Sequence, residues 1–181
     1  TAHLFFVTVH AGAEAAAKEY GIELEWNGPP TETDYSRQMQ ILDSFIARQV
    51  DGIAIAATER TALNGSLARA KAANIPVTIF DSGVDSDDYM TFIATNNFEA
   101  GQMGARTLAK LIGGKGKVAV VLHAPGSVSP MDRDRGFEEV IPKEFPGIKN
   151  GAKQFSLSAS HKPLAAPENR RPPPRTPTVL L

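Results

Sequence analysis

The feature that most constrains the fold is an alternation of short apolar runs with longer segments of helical character. The runs at 50–57 and 75–80 are rich in Ile, Val and Ala, as buried strands are. The segments before them, at 8–20, 35–49 and about 58–73, combine good helix formers with apolar residues at helical spacing. Because strands separated by such helices pair in parallel, the sequence predicts an α/β fold built on a doubly wound parallel sheet.

Local patterns predict several further elements. They are a strand at 22–26, a strand at 91–94, a helix at about 98–112, a strand at 117–122 and a helix at about 130–141. Thr58 or Thr61 can cap the helix that ends near 73, and Asn96 or Asn97 can cap the helix at 98–112. The last helix should bury its apolar side chains, Phe137, Val140 and Ile141. Pro142 should end that helix.

Composition excludes several classes of function. The 181 residues, 42% hydrophobic and 22% charged, suffice for one ordinary domain or two small lobes. A formal net charge of -1 gives no general attraction to nucleic acid or to an anionic membrane. The absence of cysteine excludes disulfides, thiolate zinc sites and cysteine nucleophiles. No run approaches the ~20 apolar residues of a membrane-spanning helix, and no signal peptide is recognisable at Thr1.

The last part of the chain has a different composition. From about residue 150 the periodicity decays, and prolines and arginines recur through 160–181. Such a run forms neither helix nor sheet ladder, so we predict an unpacked or extended tail. A proline-rich ligand for an SH3-like partner is the less favoured alternative.

The apolar run at 75–80 ends abruptly in Asp81, Ser82 and Gly83. In open α/β sheets, ligands bind beyond the carboxyl ends of the strands, where loops present polar groups. Asp81 is therefore the first candidate for a ligand contact. The alternative is that this carboxylate only closes a turn or caps a helix, which is the commoner role of Asp after a strand.

Other chemistries find little support. The spacings of the four histidines match no zinc pattern: His3, His10, His123 and His161. The glycine-rich segment at 113–117 precedes a strand and lacks the Gly-Lys-Ser/Thr ending of a phosphate loop, so it is predicted to be a turn. Ser127 lies outside any Gly-x-Ser-x-Gly elbow and has no matched base. We therefore predict no catalytic residue, no metal and no cofactor.

Five stretches together resemble one protein family. They are Phe5-Phe6 ahead of the Ala-Gly-Ala at 11–13, the run at 50–55, the run at 73–77 followed by Asp81, the run at 93–97, and the run at 133–137. In this order and spacing the chain, from residue 1 to about 160, resembles the type I periplasmic sugar-binding proteins. This ribose-binding-like family shares its fold with the ligand domains of lactose-repressor-type regulators.

The resemblance implies two lobes of helix-flanked parallel sheet that close about a hinge on a small ligand. It places an N-terminal lobe without its first strand at 1–97, a partial C-terminal lobe at 98–159, and the tail at 160–181. Asn96 and Asn97 match the crossover between the lobes, which makes them the predicted hinge residues.

The resemblance also implies a set of ligand contacts. His3, Phe5 and Phe6 match the loop after the first strand, whose aromatic rings flank the sugar. Asp81 and Ser82 match the strand-end pair that hydrogen-bonds sugar hydroxyls, although the family has an arginine where Ser82 stands. Arg133 matches a second-lobe arginine that reaches the ligand.

Structural roles remain open for two of these contacts. One of the adjacent phenylalanines can belong to the core, since adjacent residues do not share one face. The guanidinium of Arg133 can instead pair with Asp132 or Asp134 on the helix surface.

These expectations add up to a leading function. We expect a substrate-binding protein of an ABC-type transporter, located in the periplasm or outside the cell, that is monomeric if complete. It would deliver a small sugar or related polyol to a membrane permease, without chemistry and without binding nucleic acid. The alternative is the effector-binding domain of a lactose-repressor-type regulator, which expects an upstream helix-turn-helix. A third hypothesis, that the chain is an α/β enzyme, is supported by the fold alone. Because part of the two-lobed fold is missing from the pattern, we expect weak or no sugar binding by the chain alone.

Overall fold

The computed structural model describes residues 4–123 and 126–155 of the chain. His3 and the predicted tail at 160–181 lie outside the described residues. The chain divides into two compact units. The first unit comprises residues up to Ile79 together with Val84–Thr91, and the second unit comprises Phe80–Gly83 and the residues from Phe92 onward. The predicted lobe boundaries stay a prediction.

Helices and strands alternate along the described residues. In chain order they are α1 (Leu4–Tyr20), α2 (Tyr35–Ala47), β1 (Ile53–Ile55), α3 (Asn64–Ala72), β2 (Val77–Phe80), β3 (Thr91–Ile93), α4 (Asn97–Leu111), β4 (Gly116–Leu122), α5 (Val128–Glu144) and β5 (Ile148–Phe155). One sheet has the order β1-β2-β3, and β1 pairs in parallel with β2. The other sheet consists of β4 and β5, also in parallel. The predicted α/β fold with parallel strands is confirmed.

The core of the first unit lies among α2, α3 and the strands β1 and β2. Its most deeply buried side chains are Leu42, Leu63, Leu67, Ala70 and Ile79. Helix α2 begins at a local cap, because the side chain of Asp34 accepts a hydrogen bond from the backbone N–H of Arg37 at 3.0 Å. The buried amide of Gln38 then ties α2 to the loop after β1, since its Nε2 donates to the carbonyl of Ala56 at 2.8 Å.

Helix α3 begins later than its sequence suggests. The predicted caps are wrong: the hydroxyl of Thr58 donates to Gln38 at 2.8 Å, and that of Thr61 is bonded to Glu59 at 2.8 Å. Leu63 occupies the N-cap position without a side-chain bond to the helix. Both threonines are thus engaged by polar side chains before the helix starts.

The predicted strand at 22–26 does not form. The alternation of apolar and acidic residues is present, but a strand also needs a neighbouring chain for its backbone hydrogen bonds. In the described sheets this segment pairs with no strand. Ile22 is 62% exposed and Leu24 is 40% exposed, so the segment buries neither of these apolar side chains.

The second unit is held by the packing of α4 and α5 on each other and on β4. Phe137, Val140 and Ile141 are buried, as predicted. The prediction that Pro142 ends the helix is wrong, because α5 continues to Glu144 with this proline inside it. A proline this close to a helix end removes one backbone bond while the buried residues before it keep the helix in place. None of the helices among residues 4–123 and 126–155 has the length and hydropathy to span a membrane.

Candidate functional site

The turn after β2 holds Asp81 in an unusual backbone conformation. Its φ of 60° lies in the left-handed region, which non-glycine residues adopt rarely and in which Asn and Asp are enriched. Among residues 4–123 and 126–155, the other two such residues are Gln49 and Asn74, which follow the ends of helices, where this conformation is common. The backbone N–H of Asp81 donates to the carbonyl of Ile93 at 3.0 Å. The turn therefore fixes the direction in which the half-buried Asp81 leaves the strand.

The neighbouring Ser82 is 2% exposed and bonded to the first turn of α5. Its Oγ accepts hydrogen bonds from the backbone N–H groups of Val128 at 3.1 Å and Ser129 at 3.3 Å. It also lies 2.9 Å from the hydroxyl of Ser127. Ser127 occupies the N-cap position of α5 but makes no side-chain cap bond. Ser82 therefore caps α5 from a distant part of the chain.

A pair of glycines lets α4 and α5 approach very closely. A Cβ on Gly101 would lie under 3.0 Å from backbone atoms of Arg133, and a Cβ on Gly136 would lie under 3.0 Å from the carbonyl oxygen of Phe98. A residue with a Cβ would clash at either position, so only glycine allows this close approach of the two helices. The backbone of Arg133 is consequently held against α4.

The side chain of Arg133 is exposed and bonded to the start of α4. Its Nη1 donates to Oδ1 of Asn97 at 2.5 Å, and Nδ2 of Asn97 donates to the carbonyl of Thr95 at 3.0 Å. A guanidinium has five N–H donors, so one bond leaves most of its capacity for other acceptors.

The alternative pairing of Arg133 with its aspartate neighbours is not seen. Asp132 pairs instead with Arg135 at 3.1 Å, and Asp134 pairs with Lys153 at 3.2 Å. Burial alone would lower the pKa of Lys153, but its hydrogen bonds to Glu138 and Asp134 raise that pKa above its ordinary value. Among the described residues, no carboxylate neutralises Arg133.

The two predicted hinge residues lie at the start of α4. Asn96 is its N-cap, with Oδ1 accepting from the backbone N–H of Glu99 at 3.1 Å. This confirms one of the two caps expected from the sequence. Asn97 is the first residue of the helix and the partner of Arg133. Their role as a hinge stays a prediction.

The predicted aromatic contacts belong to the first unit. Phe5 and Phe6 lie in the first turn of α1, so their expected place in a loop is wrong. The alanine-rich sequence after them favours helix strongly enough to extend it back to Leu4. Their rings meet edge to face at 5.1 Å, and Phe5 is 45% exposed, which excludes it from the core. Their ligand contact stays a prediction.

Within the second unit, the structure brings Ser82 to α5 and Arg133 to Asn97. Sequence reasoning missed the serines at the start of α5 as partners of Ser82, although Ser127-Val-Ser129 before a helix is a possible cap signal. Across residues 4–123 and 126–155, no three carboxylate or imidazole groups come together as a set of metal ligands.

The chain matches known proteins over most of its length. A family model described as periplasmic binding protein domain matches residues 1–162. The ribose import binding protein RbsB of Bacillus subtilis is 26% identical over 91% of this chain and 52% of its own length. The xylitol-binding protein of Mycolicibacterium smegmatis is 29% identical over 78% of this chain and 40% of its own length. The chain thus spans about half the length of these relatives.

Solved structures give the same result. A carbohydrate transporter solute-binding protein from Agrobacterium radiobacter, in complex with D-arabinose, has 30% identity and a TM-score of 0.83 over 86% of this chain and 54% of that one. An ABC transporter solute-binding protein from Agrobacterium vitis, bound with α-D-tagatopyranose, has 36% identity and a TM-score of 0.80 over 86% of this chain and 55% of that one. With a matching family model over residues 1–162 and the type I fold of these structures, the chain belongs to the periplasmic binding protein domain family.

Proposed function

We propose that the protein is the substrate-binding component of an ABC-type importer for a small sugar or related polyol. It binds the solute between two hinged lobes and leaves it chemically unchanged, as a monomer in the periplasm or outside the cell, and passes it to a membrane permease. The names of its relatives support this proposal, because they bind ribose, xylitol, D-arabinose or tagatose. No nucleic acid takes part.

The observation that carries the proposal is the state of Arg133. Its guanidinium is exposed, anchored by the neutral Asn97, and without a carboxylate partner among the described residues. A positive charge held in this way donates charge-assisted hydrogen bonds to sugar hydroxyls, which are about twice as strong as neutral ones. Asp81, fixed by its turn, supplies a carboxylate that accepts from hydroxyl groups.

Transport is favoured over gene regulation by the relatives themselves. The ribose protein is named for import, and both solved structures reported above are named as transporter solute-binding proteins. The effector-binding domain of a lactose-repressor-type regulator, which has the same fold, has no comparable support.

The test is an NMR titration, because chemical shifts detect weak binding. The 181-residue protein is titrated with D-ribose, D-arabinose, D-tagatose and xylitol while the backbone amides of Phe80–Gly83 and α5 are followed. We expect a saturable shift with at least one of them, and Arg133→Ala should weaken that binding by about tenfold or more.

Arg135→Ala is the matched control. It removes the same charge from the same helix, but Arg135 is engaged with Asp132 and lies over the ring of Phe98 at 4.9 Å. We expect the affinity of the Arg135→Ala variant for the solute to stay within about twofold of the wild-type affinity. Equal losses for the two arginine variants would contradict the proposal.

A further inference from the structure

Ser82 is adjacent to the proposed ligand carboxylate yet too buried to touch a ligand itself. Only 2% of its surface is exposed, and its Oγ lies within hydrogen-bond distance of Ser127 Oγ and of the N–H groups of Val128 and Ser129. A hydroxyl has one donor and two acceptor positions, so these three contacts use its whole capacity. Whatever Ser82 does for binding, it does through α5.

Helix α5 has a reason to need this distant cap. A local cap residue normally accepts from the second or third N–H of the helix. The third residue of α5 is Pro130, which has no N–H, so Ser127 has only Ser129 to accept from. Ser82 instead serves both Val128 and Ser129, 46 and 47 residues further along the chain.

The capped turn leads directly to Arg133. Helix α5 is held at its start by Ser82, and at Arg133 by the close backbone contact with Gly101 of α4. Between these two points the helix has little freedom to rotate or slide. The direction of the Arg133 side chain, and its bond to Asn97, therefore depend on where the first turn of α5 is fixed.

We propose that Ser82 is a positioning residue for ligand binding: by capping α5 it sets the place of the Arg133 guanidinium, and it contacts no sugar. The inference rests on the proposed function only in assuming a sugar ligand; the placement of Arg133 by Ser82 does not depend on it. It gives Ser82 a different role from the direct sugar contact implied by the family resemblance.

The first test needs no sugar. The side-chain amide of Asn97 is an NMR reporter, because its Oδ1 accepts from Arg133 while its Nδ2 donates to Thr95. Its signals are assigned with Asn97→Asp, and Arg133→Ala marks their position when the contact is lost. We expect Ser82→Ala to move these signals most of the way to that position, and to have no further effect in the Arg133→Ala background.

Two variants separate positioning from general damage. Ser82→Thr keeps the hydroxyl and should restore the Asn97 signals. Ser127→Ala removes a hydroxyl from the same cluster but leaves both N–H bonds to Ser82, so it should leave the signals in place. If Ser82→Ala leaves the Asn97 signals unchanged, or Ser127→Ala moves them equally, the proposal is overturned. If Ser82→Ala fails to fold by circular dichroism, Ser82→Cys takes its place as the variant expected to move the signals, because a thiol keeps the shape of the side chain but accepts hydrogen bonds only weakly.

The second test uses whichever solute shifts the wild-type protein. Ser82→Ala should weaken its binding by about tenfold, while Ser82→Thr and Ser127→Ala stay within about twofold. Weakening without movement of the Asn97 signals would mean direct contact and overturn the positioning role. If no solute binds the wild type, the Asn97 signals still decide whether Ser82 positions Arg133, because that test needs no solute.

Discussion

Helices α1 and α5 have the same length but are held by different forces. Each comprises 17 residues. In α5, Phe137 is 1% exposed and packs with its neighbours in the core of the second unit. In α1, no residue from Phe5 to Tyr20 is buried. A helical pattern in the sequence therefore does not say whether the helix buries one of its faces.

The two helices form for different reasons. Helix α1 is rich in alanine and other strong helix formers, which stabilise a helix without burial. Helix α5 contains Gly136 and Pro142, which disfavour a helix, so tertiary packing must hold it. Around α1, the described contacts include the stacking of His10 on Trp26 at 4.5 Å. Intrinsic propensity dominates in α1, and packing dominates in α5.

The largest expected effect tests burial directly. Phe137→Ala should lower the free energy of unfolding by about 3–5 kcal/mol, because it leaves a cavity among α4, α5 and β4. Phe5→Ala is the matched change in α1 and should cost less than about 1 kcal/mol, since 45% of Phe5 is already exposed. Denaturant unfolding followed by circular dichroism measures both. Similar losses would show that α1 is packed as firmly as α5.

Replacing one glycine in each helix with alanine gives the next largest effect on stability, with opposite signs in α5 and α1. Gly136→Ala should destabilise the protein by about 3 kcal/mol, because the new Cβ meets the carbonyl oxygen of Phe98 in α4. Gly12→Ala in α1 meets nothing within 4 Å and should stabilise by about 0.5–1 kcal/mol. The unfolding midpoints of the two variants provide the measurement. Destabilisation by Gly12→Ala would reveal a close neighbour of α1.

The smallest expected effect concerns an exposed ion pair between α4 and α5. Nε and Nη2 of Arg106 both donate to the carboxylate of Glu144, and this pairing lowers the pKa of Glu144 below its ordinary value of 4.5. A lowered carboxyl pKa contributes stability that is complete above pH 4.5 and is lost as the pH falls through the folded-state pKa. Glu144→Gln should therefore flatten the acid side of the stability profile slightly.

Arg106→Gln removes the same pair and also the weaker attraction between Arg106 and Glu139, so it should flatten the acid side slightly more than Glu144→Gln. The double variant should match Arg106→Gln, because that change alone already breaks the pair with Glu144. Unfolding measured from about pH 3 to 7 in low salt checks this prediction, because paired carboxylates lose their charge within that pH range. Additive effects of the two substitutions would mean that the pair does not stabilise the contact between α4 and α5.

Some elements of the fold were predictable because their causes are local. The alternation of apolar runs and helical segments reflects contacts within a few residues, and it predicts the parallel α/β fold correctly. Asn96 is recognisable as a cap because it bonds to Glu99, three residues away. Phe137 is recognisable as core because helical periodicity places it on the apolar face. Joint spacing of several motifs was enough to identify the family.

Only the tertiary structure decided the hydrogen bonds of Ser82 to α5, the close contact of Gly101 with Arg133, and the failure of residues 22–26 to form a strand. Each depends on a partner that is distant in the chain or, for the strand, not among the described residues. The sequence determines which backbone shapes are favourable and which side chains avoid water. It does not determine locally which hydroxyl forms a hydrogen bond with which N–H, because the distance between the two groups is set by the packing of whole helices and strands.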